Sequence, residues 1–325
     1  MTDRAERPLR PERVLALCGG IGGAKLALGL TRVLEPDRLT VLVNTGDDFE
    51  HLGLTICPDI DTVTYTLAGL SDRKRGWGLA GESWGFLEAL GRLGGETWFM
   101  LGDRDLATHV HRTQRLREGS TLSEVTAEIA RSLGIRARLM PASDDPVRTI
   151  VQTEEGPLPF QTYFVARRCA PVLTGLTFAG AQTARMPADL PGLLADEDLA
   201  TILICPSNPY LSIDPILAIP GLRAALRRAA APVVAVSPVV AGKAVKGPTA
   251  KIMAELGLPV STQAVAAHYG DLLDGMVLDA ADAAEAPRLG LPSLVTNTVM
   301  TSLSDREDLA RAALDLAATL PRRPL

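Results

Sequence analysis

Short runs of apolar residues alternate along this chain with longer stretches in which apolar positions recur every three or four residues. The short runs, at residues 14–18, 39–43, 97–101, 200–205 and 232–236, are rich in Val, Ile and Leu, as strands buried on both faces are. The longer stretches predict helices over 23–33, 59–70, 83–93, 105–117, 121–133, 214–228, 247–256 and 306–320. Thr121 and Glu124 stand at capping-box spacing, which marks one helix start. Strand followed by helix, repeated, is the pattern of βαβ units. The expected fold is therefore α/β: a Rossmann-like, doubly wound, mostly parallel sheet. One stretch departs from it. VRTIVQT, EEGP and LPFQTYFVAR, from Val147 to Arg167, read as an antiparallel hairpin inside a β-hairpin and helical insertion at about 105–195. Residues 13–325 are expected to form a single domain, and the charged, proline-containing stretch 1–12 a disordered tail.

Composition narrows the function more than the fold. Of 325 residues, 46% are apolar and 22% charged, which is ordinary for a soluble globular protein. A formal charge of −5 argues against nucleic acid as a partner, because binding its phosphates calls for a basic face. Any bound phosphate must be handled by local geometry. Cys18, Cys57, Cys169 and Cys205 lack CxxC spacing, so neither a zinc site nor a disulfide framework is indicated and a cytoplasmic location is expected. No uncharged apolar run approaches the roughly 18 residues of a membrane span. A homodimer is the expectation from base rates alone.

In an open α/β sheet the chemistry lies in the loops beyond the carboxyl ends of the strands. The first such loop holds Gly19, Gly20, Gly22 and Gly23, followed by Lys25. Glycines let backbone N–H groups approach an anion, and the helix behind offers its positive end to a phosphate. A tight turn with no ligand would carry the same glycines. Lys25 and the spacing match neither the dinucleotide fingerprint nor the P-loop. After the second run come Asn44, Asp47 and Asp48, where a dinucleotide enzyme would place its ribose-binding acid directly at the strand end. Asp59 and Asp61 follow in CPDIDT. Two acidic loops beside a phosphate cradle suit a hard divalent cation, although each acid alone could be a turn or cap residue. In LGDRDLATH, Arg104 offers phosphate a fork of donors, while Asp103 and Asp105 could equally form a structural ion pair with a helix cap. His109 and His111 are expected on the surface of that helix. Ser207 and Asn208, and Lys243 with Lys246, are polar candidates in later loops.

Taken in order, GGIGGAK, NTGDD, HLGLTICPDIDTVTY, RGWG, LGDRDLATH, PASDDPVRT, PSNPYLSIDPIL and SPVVAGKAVKGP resemble the 2-phospho-L-lactate transferase family of coenzyme F-420 biosynthesis, from about Arg13 to the last helix. The resemblance implies a Mg²⁺-dependent transfer of a phospho-acid from a guanosine diphosphate-linked donor to the ribityl hydroxyl of the deazaflavin Fo, with release of GMP. It implies contacts from Gly19, Gly20, Gly22 and Gly23, with Lys25 assisting, to the donor phosphates. Asp47, Asp59 and Asp61 would hold the metal or orient the Fo hydroxyl, Asp61 touching Fo. Asn44 and Asp103 would line the cleft, Arg104 would face phosphate, and Ser207 and Asn208 would hold guanosine. Two features depart from the family pattern: GGIGGAK stands where some relatives have GGTGTPK, and HLGL carries an extra residue. A nucleotide-sugar-binding regulator of the same superfamily is the alternative, against which the PDIDT and LGDRD acids count.

Overall fold

The computed structural model describes residues 12–244 and 247–323. The expected tail, apart from Glu12, and Lys246 lie outside these residues. In chain order, β1 (Arg13–Cys18) and β2 (Leu39–Val43) precede a small antiparallel hairpin of β3 (Phe49–His51) and β4 (Leu54–Ile56), and then β5 (Arg138–Pro141). β6 (Arg148–Thr153), β7 (Gly156–Pro159) and β8 (Leu173–Ala179) form a separate antiparallel sheet. β9 (Leu199–Ile204) and β10 (Val233–Val236) follow, then the short pair β11 (Val239–Val240) and β12 (Lys243–Ala244), then β13 (Gly275–Asp279) and β14 (Ser293–Thr296). The central sheet has the order β14-β13-β10-β9-β1-β2-β5, and its paired strands all run parallel.

That order decides where a ligand can enter. The chain builds outward from β1 through β2 to β5, returns to β9 on the other side of β1, and continues away through β10, β13 and β14. The crevice at such a reversal, beyond the carboxyl ends of the two central strands, is the binding place of doubly wound sheets. Here it lies between β1 and β9, where the pairing of Leu17 with Ile204 brings the glycine loop beside Pro206-Ser207-Asn208. β1 is buried on both faces: Leu15 and Leu17 enter one core, Val14, Ala16 and Cys18 the other. This two-sided burial explains the unbroken apolar runs. Helices α1 (Gly20–Val33), α2 (Pro58–Leu67), α3 (Gly85–Arg92), α4 (Asp103–Arg117) and α5 (Leu122–Ser132) follow β1 and β2, and Thr121 makes the expected capping box with Glu124. No described helix is long and apolar enough to cross a membrane.

Four expectations need correction. Residues 97–101 form no strand: Trp98 and Phe99 pack on Phe49 and His51, and the edge of β2 is taken by β5. An apolar run covering an aromatic cluster reads the same as a strand when only periodicity is used. β5 itself falls within the stretch expected as one insertion, dividing it. The helix expected over 214–228 is two, Asp214–Leu217 and Leu222–Arg228, because Pro220 and Gly221 intervene and Gly221 turns at φ +78°. The return strand of the hairpin stops at Pro159, and Thr162–Ala166 forms a wide helical turn. The extra residue of HLGL is absorbed in the two-residue turn of the β3–β4 hairpin, where Leu52 and Gly53 have φ of +54° and +72°.

Candidate active site

A cavity of about 490 Å³ opens at the switch point. Its floor is the start of α1. Gly20 lies at φ +64°, a conformation that favours glycine, and the first amides of this 14-residue helix have no partner within the helix. The neighbouring glycines serve packing. A Cβ on Gly19 would stand 2.5 Å from Asp59 Oδ2 and from Ser212 Cβ, and one on Gly23 would stand 2.4 Å from Ser207 Oγ. At Gly22 the obstacle is backbone, the Pro206 carbonyl oxygen at 2.4 Å. Gly22→Ala is therefore expected to lower stability by about 1–3 kcal/mol, read as a fall in Tm, because neither helix nor loop can give way.

Asp47 and Asp59 line the cavity together. One side-chain amide holds both: Asn44 Nδ2 donates to Asp47 Oδ1 at 3.0 Å, to Asp59 Oδ2 at 2.9 Å and to the Leu211 carbonyl at 3.2 Å. The Gly20 amide donates to Asp59 Oδ1 at 2.7 Å, which ties the acidic pair to the glycine turn. Among the described residues neither acid forms an ion pair with a basic side chain. Burial, then the charge of Asp59, pushes the Asp47 carboxyl well up. Burial pushes Asp59 up to about 6 despite its hydrogen bonds to Asn44, Gly20 and Ser212. Among the described residues these two buried carboxylates share one neutral donor and have no counter-charge, and a cation would supply it.

Asp61 also faces the cavity, but its carboxylate is engaged. Arg112 of α4 grips it with both guanidinium NH2 groups, one at 3.2 Å, and is itself 1% exposed. His109 lies between Asp61 and Asp105, its Nε2 3.2 Å from Asp105 Oδ2, and Tyr65 donates to Asp105. His109 is thus buried and cavity-lining, not on the surface, whereas His111 is half exposed beside Glu128. Burial would raise the Asp105 carboxyl, but the bond and charge of His109 and the Tyr65 bond hold it low. The residues expected as one ligand set therefore divide: Asp47 and Asp59 share Asn44, while Asp61 belongs to an Arg–His–Asp network. Among the described residues no three His, Cys, Asp or Glu side chains gather as a metal site. A magnesium ion commonly takes one or two carboxylates and completes its shell with water and substrate phosphate oxygens, so the Asp47–Asp59 pair fits one.

The LGDRD loop is placed differently from expectation. Asp103 accepts from Ser83 Oγ and from the amides of Gly85 and Phe86, capping α3, while Glu82 accepts from the amides of Arg104 and Asp105, capping α4. The start of α4 thus caps α3, and the loop before α3 caps α4. Arg104 donates to the Ala80 carbonyl at 2.7 Å and, like Asp103, does not line the cavity. Lys25 lines it and donates to the Met300 carbonyl at 2.8 Å. Ser207 Oγ accepts from the Gly19 amide and donates to its carbonyl, locking the two loops together. Asn208 Oδ1 accepts from Tyr210 and Leu211, leaving its buried Nδ2 unpartnered.

Sequence reasoning missed Arg112, Asp105 and the aromatic wall. The chain has 6 Phe, 4 Tyr and 3 Trp. Of these, Tyr65, Trp77, Phe99, Phe160 and Phe164 line this cavity, the last two stacked at 5.3 Å, with Gln161 between them donating to the Asp47 carbonyl.

A doubly wound sheet with a helix terminus, an acid pair without a counter-charge among the described residues and an aromatic wall at its switch point suits an α/β enzyme that handles phosphate. Comparison with known proteins makes this specific. The family model described as 2-phospho-L-lactate transferase CofD matches residues 14–291, and the chain belongs to that family. It is similar to a phosphoenolpyruvate transferase of Kitasatospora aureofaciens, 41% identical over 94% of this chain and 98% of the relative. It is likewise similar to a 2-phospho-L-lactate transferase of Methanosarcina mazei, 39% identical over 91% and 98%. A solved structure of a UPF0052 family member from Bacillus halodurans shares the fold, with a TM-score of 0.63 at 15% identity over 94% of this chain and 99% of that one. The chain is thus a CofD-type transferase of coenzyme F-420 biosynthesis.

Proposed function

We propose that the chain transfers a phospho-acid from a GMP-activated diphosphate donor to the ribityl primary hydroxyl of Fo, with Mg²⁺ bound at Asp47 and Asp59. The observation that carries this reading is that buried acid pair, tied through Asn44 and Gly20 to the helix terminus. The amides of α1 hold the diphosphate, and the unpartnered Asn208 Nδ2 is available to hold the GMP side. The aromatic wall suits a flat tricycle, which stacks on aromatic rings. Asp61, fixed by Arg112, orients the acceptor hydroxyl and takes its proton as the oxygen bonds to the acid-side phosphorus. The bond from that phosphorus to the bridging oxygen breaks, and GMP leaves with the electron pair. Bound Mg²⁺ would neutralise charge on the diphosphate. Arg104 is left out of this scheme, since it neither lines the cavity nor faces it.

Relatives named for phosphoenolpyruvate and for 2-phospho-L-lactate stand at 41% and 39% identity, so the test offers both acids, with glycerate as a third. The protein is incubated with Fo, Mg²⁺ and donors carrying lactate, enolpyruvate or glycerate, and the products are weighed by mass spectrometry. The expected result is Fo plus one phospho-acid moiety and an equal amount of GMP, with thermal stabilisation by GDP but not by a UDP-sugar or NAD. No transfer from any donor, with stabilisation by a nucleotide sugar, would favour the binding-protein alternative.

A further inference from the structure

A second cavity of about 180 Å³ adjoins the first. Ile21, Lys25, Thr62, Tyr65, Trp77 and Gly78 line both, so the two adjoin along α1 and α2. The annex is basic. Lys25, Arg73 and Arg306 line it, together with the hydroxyls of Thr62, Thr66 and Ser71. Its one acid among the described lining residues, Asp72, is taken up by Arg75 at 3.0 Å and by the amides of Lys74 and Arg75. Asp305, next to Arg306 in the chain, accepts from Thr301 and Ser302. Arg306 Nε is buried without a hydrogen-bond partner, and burial together with the charge of Arg73 weakens the hold of Arg306 on its proton. The charge of Asp305 offsets only part of the repulsion between Arg73 and Arg306, and among the described residues neither forms an ion pair, so the two guanidinium groups favour an anion.

We propose that this annex is the acid subsite of the transferase, where Arg306, aided by Arg73, binds the carboxylate of the transferred phospho-acid and so determines donor specificity. The proposal rests on the transferase reading above. It follows from size and place. With the donor's diphosphate on the glycine turn, Asn208 lines only the larger cavity, whereas Ile21 and Lys25 of the same turn lead into the annex. A space of about 180 Å³ accommodates a three-carbon acid. The feature common to phospholactate, phosphoenolpyruvate and phosphoglycerate is a carboxylate beside the phosphate ester, and a half-buried guanidinium recognises it through a charge-assisted pair.

The test compares two synthetic donors, the guanosine diphosphate ester of enolpyruvate and the matched ethyl ester without a carboxylate. In the wild type kcat/KM should favour the acid by about 10- to 100-fold. Arg306→Gln should bring kcat/KM for the acid down to that for the ethyl ester, and Arg306→Lys should keep part of the preference. Equal losses with both donors, or an undiminished preference for the acid, would overturn the proposal. Arg73→Gln carries the same comparison, with a smaller effect, should Arg306→Gln fail to fold. Absence of transfer by the wild type from either donor would instead overturn the transferase reading, and this one with it.

Discussion

Asp47→Asn is expected to lower kcat about 10³-fold and, in metal-free protein near pH 8, to raise Tm. Both effects come from one charge. The introduced carboxamide keeps an oxygen for the Asn44 amide, so the local structure persists, but a carboxylate is lost from the cation site. In the wild type that carboxyl is raised by burial and by Asp59, so its folded pKa exceeds its unfolded one. A group of this kind contributes stability that is fully present below its unfolded value and is lost as pH rises through the folded value. Metal-free wild type should therefore weaken from about pH 4 upward, as Asp59, pushed up to about 6, and Asp47, raised well above its ordinary value, lose their protons. The variant, carrying one such charge fewer, should lose less. Scanning calorimetry in EDTA across that range, beside rates of GMP release, tests both. A variant less stable than wild type near pH 8 would mean that the acid pair is not electrostatically strained.

Arg112→Met should cost about 3–5 kcal/mol, because it leaves Asp61 buried, charged and unpaired. In a chain of this size that corresponds to a fall in Tm of roughly 4–8 °C. Asp61→Leu combined with Arg112→Met removes both charges and should regain most of the stability without turnover. Such a cycle separates what the ion pair does for folding from what Asp61 does for the acceptor. Turnover near wild type in the double variant would remove Asp61 from the mechanism.

The fold was legible because buried parallel strands write themselves as apolar runs. Where that signal is short, as in Arg138–Pro141 or Ser293–Thr296, it vanished. The same signal misled at 97–101, whose aromatic residues cover a hairpin. Within the site, the glycine turn and the acids of NTGDD and PDIDT were legible as residue types, but their partners were not. That Asn44 holds both Asp47 and Asp59 depends on two loops 15 residues apart in sequence meeting at one strand end. The Asp61 network did leave a trace: Asp105, His109 and Arg112 recur at one helical face, and Tyr65 stands four residues after Asp61. A buried arginine at such a position is visible only once the fold brings Arg112 of α4 against Asp61 of α2. Asp103 and Arg104 went astray for the opposite reason, since capping of one helix by another leaves no spacing within the motif itself.

The measurement that bears most directly on the account is calorimetric titration of Mg²⁺ into the GDP-bound protein near pH 7.5, in buffers of different ionisation enthalpy. Wild type should bind about one ion per chain with release of protons, because the ion displaces them from carboxyls whose affinity for protons is raised. Asp47→Asn should bind the ion far more weakly and release fewer protons. Equal binding by the two proteins, or binding with no proton release, would contradict the assignment of Asp47 and Asp59 as the cation site on which the phosphate chemistry depends.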